Sequence, residues 1–224
     1  MTIRRCLYSG WCATVGLYAV LSCHLVCANS ETTGDDKSVS ELHEPVDLVK
    51  QTSAAPASPP CVRSVADREK FYRHQTDGVS CSAFSMAMMY SDHKLGRPAT
   101  DEEVNKFRQI AGLTPTTGYR GTLNDMAHQI ESTGLHAKPY QYERFNEQAM
   151  SDLNRELGLG HSAVGRVINP HTGNRHYIYI AGRDASGRFI LGDPDRKNIA
   201  HNEPVSAEQL YKMMSGRDGF VAGW

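Results

Sequence analysis

Cys81 stands in the stretch HQTDGVSCSAF, at the head of the apolar run CSAFSMAMMY, with Gln75 six positions before it. Ala83, Phe84, Met86, Ala87, Met88 and Met89 suit a buried helix, and Gly78 and Ser80 ahead of it are loop and capping residues. A sulfur at a helix N-terminus feels the positive end of the macrodipole, which favours thiolate over thiol and suits a nucleophile. Two duller uses remain open to Cys81: a small buried residue on an apolar helix, or the disulfide partner of Cys61.

A thiolate nucleophile needs a base, a group that orients the base, and donors for the oxyanion formed when it attacks a carbonyl. NRHYIYIAGRDASGRFILGDPDR reads as a β-hairpin, with one strand over residues 177–180, a turn over 184–187 and a returning strand over 189–191. His176 starts the first strand and Asp193 follows the second, so antiparallel pairing brings these two ends together. There the carboxylate can hydrogen-bond the imidazole, fix its tautomer and stabilise imidazolium against the Cys81 thiolate. His161 and His171 are rival bases, and Asp195 and Asn198 are fallback orienters. His161 precedes a strand over 162–168 that no acid follows, and His171 lies in the turn-like NPHTGN.

The elements that must position these groups are legible from caps and periodicity. Residues 100–103, TDEE, form a capping box that opens a helix through Ile110, and residues 122–125 start another that stops at Gly134. A short strand near 137–142 leads to an amphipathic helix over about 145–157 with Phe145, Ala149, Leu153 and Leu157 on one side. Residues 206–209 cap a last helix running to Ser215, and GFVAGW is expected to close as an edge strand. The expected class is α+β: an N-terminal helical half carries the nucleophile at a helix N-terminus and packs on a C-terminal antiparallel β-sheet carrying the base, with the site in the crevice between. TPTTGYRGT, residues 114–122, is a mobile lip over that crevice or merely a loop.

Gln75-x5-Cys81 at a helix start, followed by His-Tyr-Ile-Tyr-Ile-Ala-Gly, a short turn and Ile-Leu-Gly-Asp-Pro, resembles the papain-like cysteine peptidases, and most closely the C39-like branch of bacteriocin-processing domains and bacterial effector proteases. The resemblance covers about residues 75–193, the middle only in helical character. It implies that Cys81 is the nucleophile, His176 the general base and then acid, and Asp193 the orienting residue. It further implies that Gln75 donates its side-chain amide to the oxyanion hole together with the Cys81 backbone N–H. Ser82 stands where many members carry glycine. Bacteriocin-processing domains are usually fused to transporter modules, and this chain has none, so a bacteriocin leader is not the expected substrate.

The first residues bear on compartment. Arg4 and Arg5 precede an uncharged run from Cys6 to Ala28, the layout of an export signal. Its length also admits a signal-anchor, and the stretch ending at Cys23 approximates a lipoprotein processing site. Removal of the segment, residues 1–28, is expected, with lipidation at Cys23 second. Residues 29–60 are rich in Ser, Thr, Pro and acids and poor in aromatics, which suits a disordered spacer or a pro-segment. Residues 61–224 are long enough for one domain with its own core. The 224-residue chain carries a net charge of −1, and loss of Arg4 and Arg5 takes it to −3. Lysines and arginines are scattered, which argues against a nucleic-acid stripe or a polybasic membrane patch.

His161, His171 and His176 do not have metal-ligand spacing, no Cys-x2-Cys occurs after the signal region, and no glycine-rich loop joins a strand to a helix; no cofactor or metal is expected. The expected function is an exported cysteine peptidase acting on protein or peptide substrates through an acyl-thioester intermediate. Alternatives are a peptidoglycan amidase or endopeptidase using the same residues, acyl transfer to an amine, and a non-catalytic papain-like binding lipoprotein tethered at Cys23.

Overall fold

Hydrophobic patterning decides where each helix of the domain goes. The computed structural model describes residues 62–169, 172–195 and 203–224, all within the unit Ser53–Trp224. Helix α1, Cys81–Tyr90, is buried at every position from Ser82 to Met89, as a helix apolar on all sides must be. Helices α2 (Asp101–Ile110) and α3 (Leu123–Glu131) are amphipathic, bury only one face each, and are opened by the capping boxes of Thr100 and Thr122. After α3 the chain turns through Gly134, at φ 83°, into β1 (Ala137–Gln141). Then come α4 (Glu147–Gly158), β2 (Ser162–Ile168), β3 (Arg175–Arg183), β4 (Phe189–Gly192), α5 (Ala207–Met214) and β5 (Gly219–Gly223).

The strands form one antiparallel sheet in the order β1-β5-β2-β3-β4. Side chains alternate across it with period two. Val164, Tyr177, Tyr179, Ala181, Ile190 and Val221 share a core with α1, α2 and α3. Ala163, Val167, Ile178, Ile180, Leu191, Phe220 and Ala222 share the other with α4 and α5. The described domain is therefore α+β, with the helices that precede the sheet in sequence on one face. A second helical layer covers the far face.

Two details depart from the sequence reading. The closing segment is not an edge strand: β5 pairs with β1 on one side and β2 on the other, and all five of its residues are buried. Gly-Phe-Val-Ala-Gly carries no charge and suits a centre with both backbone ladders satisfied. The edge falls to β1, whose Lys138 and Pro139 are residues that discourage further pairing. Helix α4 begins at Glu147 rather than at Phe145, because the Asn146 side chain accepts the Ala149 N–H at 2.9 Å and caps it. Phe145 stays buried, just outside the helix.

Close approach of α1 to the sheet depends on Gly192 at the end of β4. A Cβ there would sit 2.7 Å from Met88 Sδ and 3.2 Å from the Phe71 ring. Each fully buried Met or Phe at this contact is worth about 1.5–3 kcal/mol. Beyond α1, in the turn Ser91–Leu95, the Asp92 carboxylate accepts from the Tyr179 hydroxyl of β3 at 2.5 Å and from Arg63 Nη1 at 2.7 Å. The far end of the helix that starts at Cys81 is thus tied to β3, whose second residue is His176. No helix among the described residues is long and apolar enough to cross a membrane.

Candidate active site

Cys81 is the first residue of α1, half-buried and a free thiol. His176 lies one residue into β3 and is 4 % exposed, while Asp193, directly after β4, is fully buried. The expected hairpin forms, with Tyr179 opposite Gly192 and Ile180 opposite Leu191 and a bulge at Ile180/Gly182. His176 Nε2 and Asp193 Oδ1 are 2.7 Å apart. The same carboxylate oxygen accepts the Asp195 backbone N–H at 2.9 Å, which fixes its orientation.

Burial works against a charged His176 ring, but the hydrogen bonds to Asp193 and to Cys81 outweigh it, and the ring is pushed up to about 10 from an ordinary 6.5. With Nε2 engaged by Asp193, the nitrogen left for the sulfur is Nδ1. Asp193 bonds the ring on one side and Cys81 is close enough to act on it, so the structure brings together three of the four residues singled out by the sequence.

Gln75, the fourth, is held beside these groups through its backbone. Its N–H donates to the Pro194 carbonyl at 3.0 Å, and His74 Nδ1 lies 2.9 Å from the same oxygen. The side chain is 9 % exposed and its Oε1 is buried without a hydrogen-bond partner among the described residues. Residues on both sides of Gln75 line a cleft of about 430 Å³ formed by Tyr72, Arg73, His74, Thr76 and Pro98. Ser82, next to the sulfur, is fully buried with its hydroxyl unpartnered among the described residues.

The competing residues are committed elsewhere or lie outside the described residues. His161 Nδ1 is 2.7 Å from Glu156 Oε2 and its ring stacks on Trp224 at 4.1 Å. Asp195 Oδ2 accepts from Asn169 Nδ2 at 3.2 Å. His171, Asn198, Cys61, the export segment with Cys23, and the spacer are outside the described residues. Among the described residues no group of three or more His, Cys, Asp or Glu is placed to hold a metal ion.

Several polar residues around the site escaped the sequence reading. Asp77 accepts from the backbone N–H groups of Val79 (2.9 Å) and Ser80 (2.8 Å), from the Ser80 hydroxyl (2.8 Å) and from Arg108 Nη2 of α2 (2.6 Å). Asp-Gly ahead of the helix is a turn signal that could have flagged it; nothing in the sequence marks Arg108 as its partner. Arg166, buried in β2, donates through Nε to the Tyr177 hydroxyl (2.8 Å), through Nη2 to the Gly121 carbonyl (2.7 Å) and through Nη1 to Asp218. An arginine inside the otherwise apolar SAVGRVI was the visible sign. Burial raises the Tyr177 hydroxyl against the opposing pull of Arg166.

Residues 114–122 are therefore anchored beside the site. Gly121 is held by Arg166, the Tyr119 ring meets Tyr177 edge-on at 5.7 Å, and a Cβ at Gly118 would lie 3.3 Å from the Val79 carbonyl. Compared with known proteins, the sequence matches no family model and no curated protein at a meaningful level.

Proposed function

We propose that this protein is an exported cysteine peptidase of the papain-like type, nearest the C39-like branch, that hydrolyses peptide bonds through Cys81, His176 and Asp193. The observation that carries this reading is the Cys81–His176–Asp193 grouping, with a fully buried carboxylate behind a buried imidazole whose charged form is favoured. Export rests on the sequence of residues 1–28 alone.

In this mechanism the Cys81 thiolate attacks the carbonyl carbon and the carbonyl electron pair moves onto oxygen. The Cys81 N–H and the Gln75 side-chain amide stabilise that oxyanion. Collapse breaks the C–N bond, and His176 gives its proton to the leaving amine. The neutral imidazole then takes a proton from water, whose oxygen attacks the thioester. The second collapse releases the carboxylic acid, and the proton on His176 restores the ion pair.

Alkylation with iodoacetamide across pH, with mass mapping of the modified cysteine, tests the ion pair. Cys81 is expected to be modified selectively and faster than Cys61, and His176→Ala to lose that reactivity. Equal, slow labelling of Cys61 and Cys81 overturns the proposal. Turnover of fluorescent casein, abolished by Cys81→Ala, supports a peptidase; activity on purified sacculi with casein untouched moves the substrate to peptidoglycan peptides.

A further inference from the structure

One end of the sheet lies far from the chemistry. His176 is the second residue of β3 and Arg183 the last, which at 3.3 Å per residue puts them about 23 Å apart. Register gathers other elements at the Arg183 end. Val62, where the described domain begins, bridges Arg183, and the Arg63 N–H donates to the Arg183 carbonyl at 2.8 Å. Ser162, the first residue of β2, is opposite Gly223, which is in turn opposite Ala137, the first residue of β1. One step further out, Trp224 and His136 exchange backbone hydrogen bonds at 3.1 and 2.9 Å, and the Trp224 ring stacks on His161 at 4.1 Å.

This end face is apolar where it meets solvent. Leu159, which leads into β2, is 64 % exposed, Val62 58 % and Trp224 37 %; three of the six most open large apolar side chains among the described residues thus share one end. The exposed lysines Lys94 and Lys138 stand beside them. Acids near this end are engaged within the protein. Asp92 accepts from Arg63 and Tyr179, Glu156 pairs with His161 and accepts from Tyr140, and Glu131 pairs with His128.

We propose that this end face rests on the surface of a lipid bilayer, to which the chain ahead of Val62 ties it, with the crevice of Cys81 facing away. Two observations choose this occupant over a second copy or another protein. The 61 residues ahead of Val62 join the domain at this same end, and they include the uncharged run from Cys6 to Ala28 with Cys23, which as a signal-anchor or by lipidation would hold the chain to a membrane. The exposed set, an indole with aliphatic side chains and lysines beside them, suits the headgroup boundary; it is an apolar rather than a polybasic face. A single lipid chain binds only marginally and stable attachment needs a second signal. A face linked to the anchor on one polypeptide acts at high effective concentration, so a small one serves. The proposal does not rest on the peptidase reading; it places Cys81 on the aqueous side, where its substrates would be met.

The chain has two tryptophans, Trp11 and Trp224, so the full chain with Trp11→Phe reports from the end face alone. Side chains of an interfacial face lie about 5–10 Å into the boundary of headgroups and acyl chains, within contact of a nitroxide placed high on the acyl chain. On vesicles of phosphatidylcholine and phosphatidylglycerol carrying that nitroxide, Trp224 is expected to lose about half or more of its emission relative to unlabelled vesicles. Val62→Glu/Leu159→Glu changes two exposed side chains; the chain is expected still to float with the vesicles, and Trp224 to recover most of its emission. Cys81 is expected to react with a membrane-impermeant maleimide as fast on vesicles as off them, by mass mapping. A chain that floats with Trp224 unquenched, quenching that the double variant does not relieve, Cys81 shielded on the vesicles, or a chain that does not float each overturns the proposal. Unquenched Trp224 in a chain that sediments as a dimer overturns it in favour of a second copy.

Discussion

Replacing Asp193 by asparagine removes the charge behind the imidazole while keeping its shape, and the effect is best read with the sulfur out of the way, in a Cys81→Ser background. Asp193 is fully buried and His176 4 % exposed, so their 2.7 Å contact is poorly screened. Breaking a buried, hydrogen-bonded charge pair costs about 3–5 kcal/mol. At about 1.4 kcal/mol per pKa unit, the lower figure moves the ring by about two units. In Cys81→Ser the His176 ring is expected to titrate above its ordinary 6.5, held up by Asp193; with Asp193→Asn added, burial acts unopposed and the ring falls to 6.5 or below. The Cε1–H resonance of His176 followed by NMR across pH gives both midpoints. Stability carries the same signature. The ring is raised in the folded state, so the pair's contribution is complete below about pH 6.5 and is lost as pH rises through the folded value. The gap in urea stability between Cys81→Ser and Cys81→Ser/Asp193→Asn is therefore widest near pH 6 and narrows towards pH 10. A ring that titrates at 6.5 in Cys81→Ser, or that does not move when Asp193 is changed, refutes the reasoning.

Gly219→Ala places a Cβ 1.8 Å from the Tyr140 carbonyl oxygen at a φ of 138°, so β5 must leave its register with β1; a loss of at least about 3 kcal/mol and a melting temperature lower by about 6 °C or more is expected by calorimetry. Arg166→Leu is expected to cost about 2 kcal/mol, less than a fully buried pair because the Asp218 side chain keeps 32 % exposure, and to make residues 114–122 the first site of limited proteolysis. His161→Ala is expected to lower stability by about 1 kcal/mol through loss of the Glu156 contact and the Trp224 stack, and to leave the rate of Cys81 alkylation unchanged. A drop in that rate would return His161 to contention as the base.

The hairpin and the helix starts were legible because each is written in local chemistry. The Thr100 and Thr122 capping boxes and the apolar alternation of residues 177–180 act within a few residues of themselves. The site inherited this legibility: once strand pairing is assumed, His176 and Asp193 must meet. What stayed hidden depends on contacts distant in sequence. The place of β5 is decided by β1 and β2 each pairing with one of its edges, and a five-residue apolar strand gives no sign of which neighbours it will have. Asp77 and Arg108 are 31 positions apart and on different elements, so a turn residue could be read but its brace could not. Gln75 was chosen by resemblance, and its location beside Pro194 follows from a backbone bond that no side-chain pattern encodes.

Helix α1 has no solvent face over Ser82–Met89, and its far end is fastened to β3 through Asp92. The sulfur is thus carried by the last part of the domain able to open on its own, and the amides of α1 are expected to exchange with solvent only when the whole domain opens. Heat should then extinguish chemistry and structure along one curve, with no intermediate temperature at which a folded shell has lost its reactive centre.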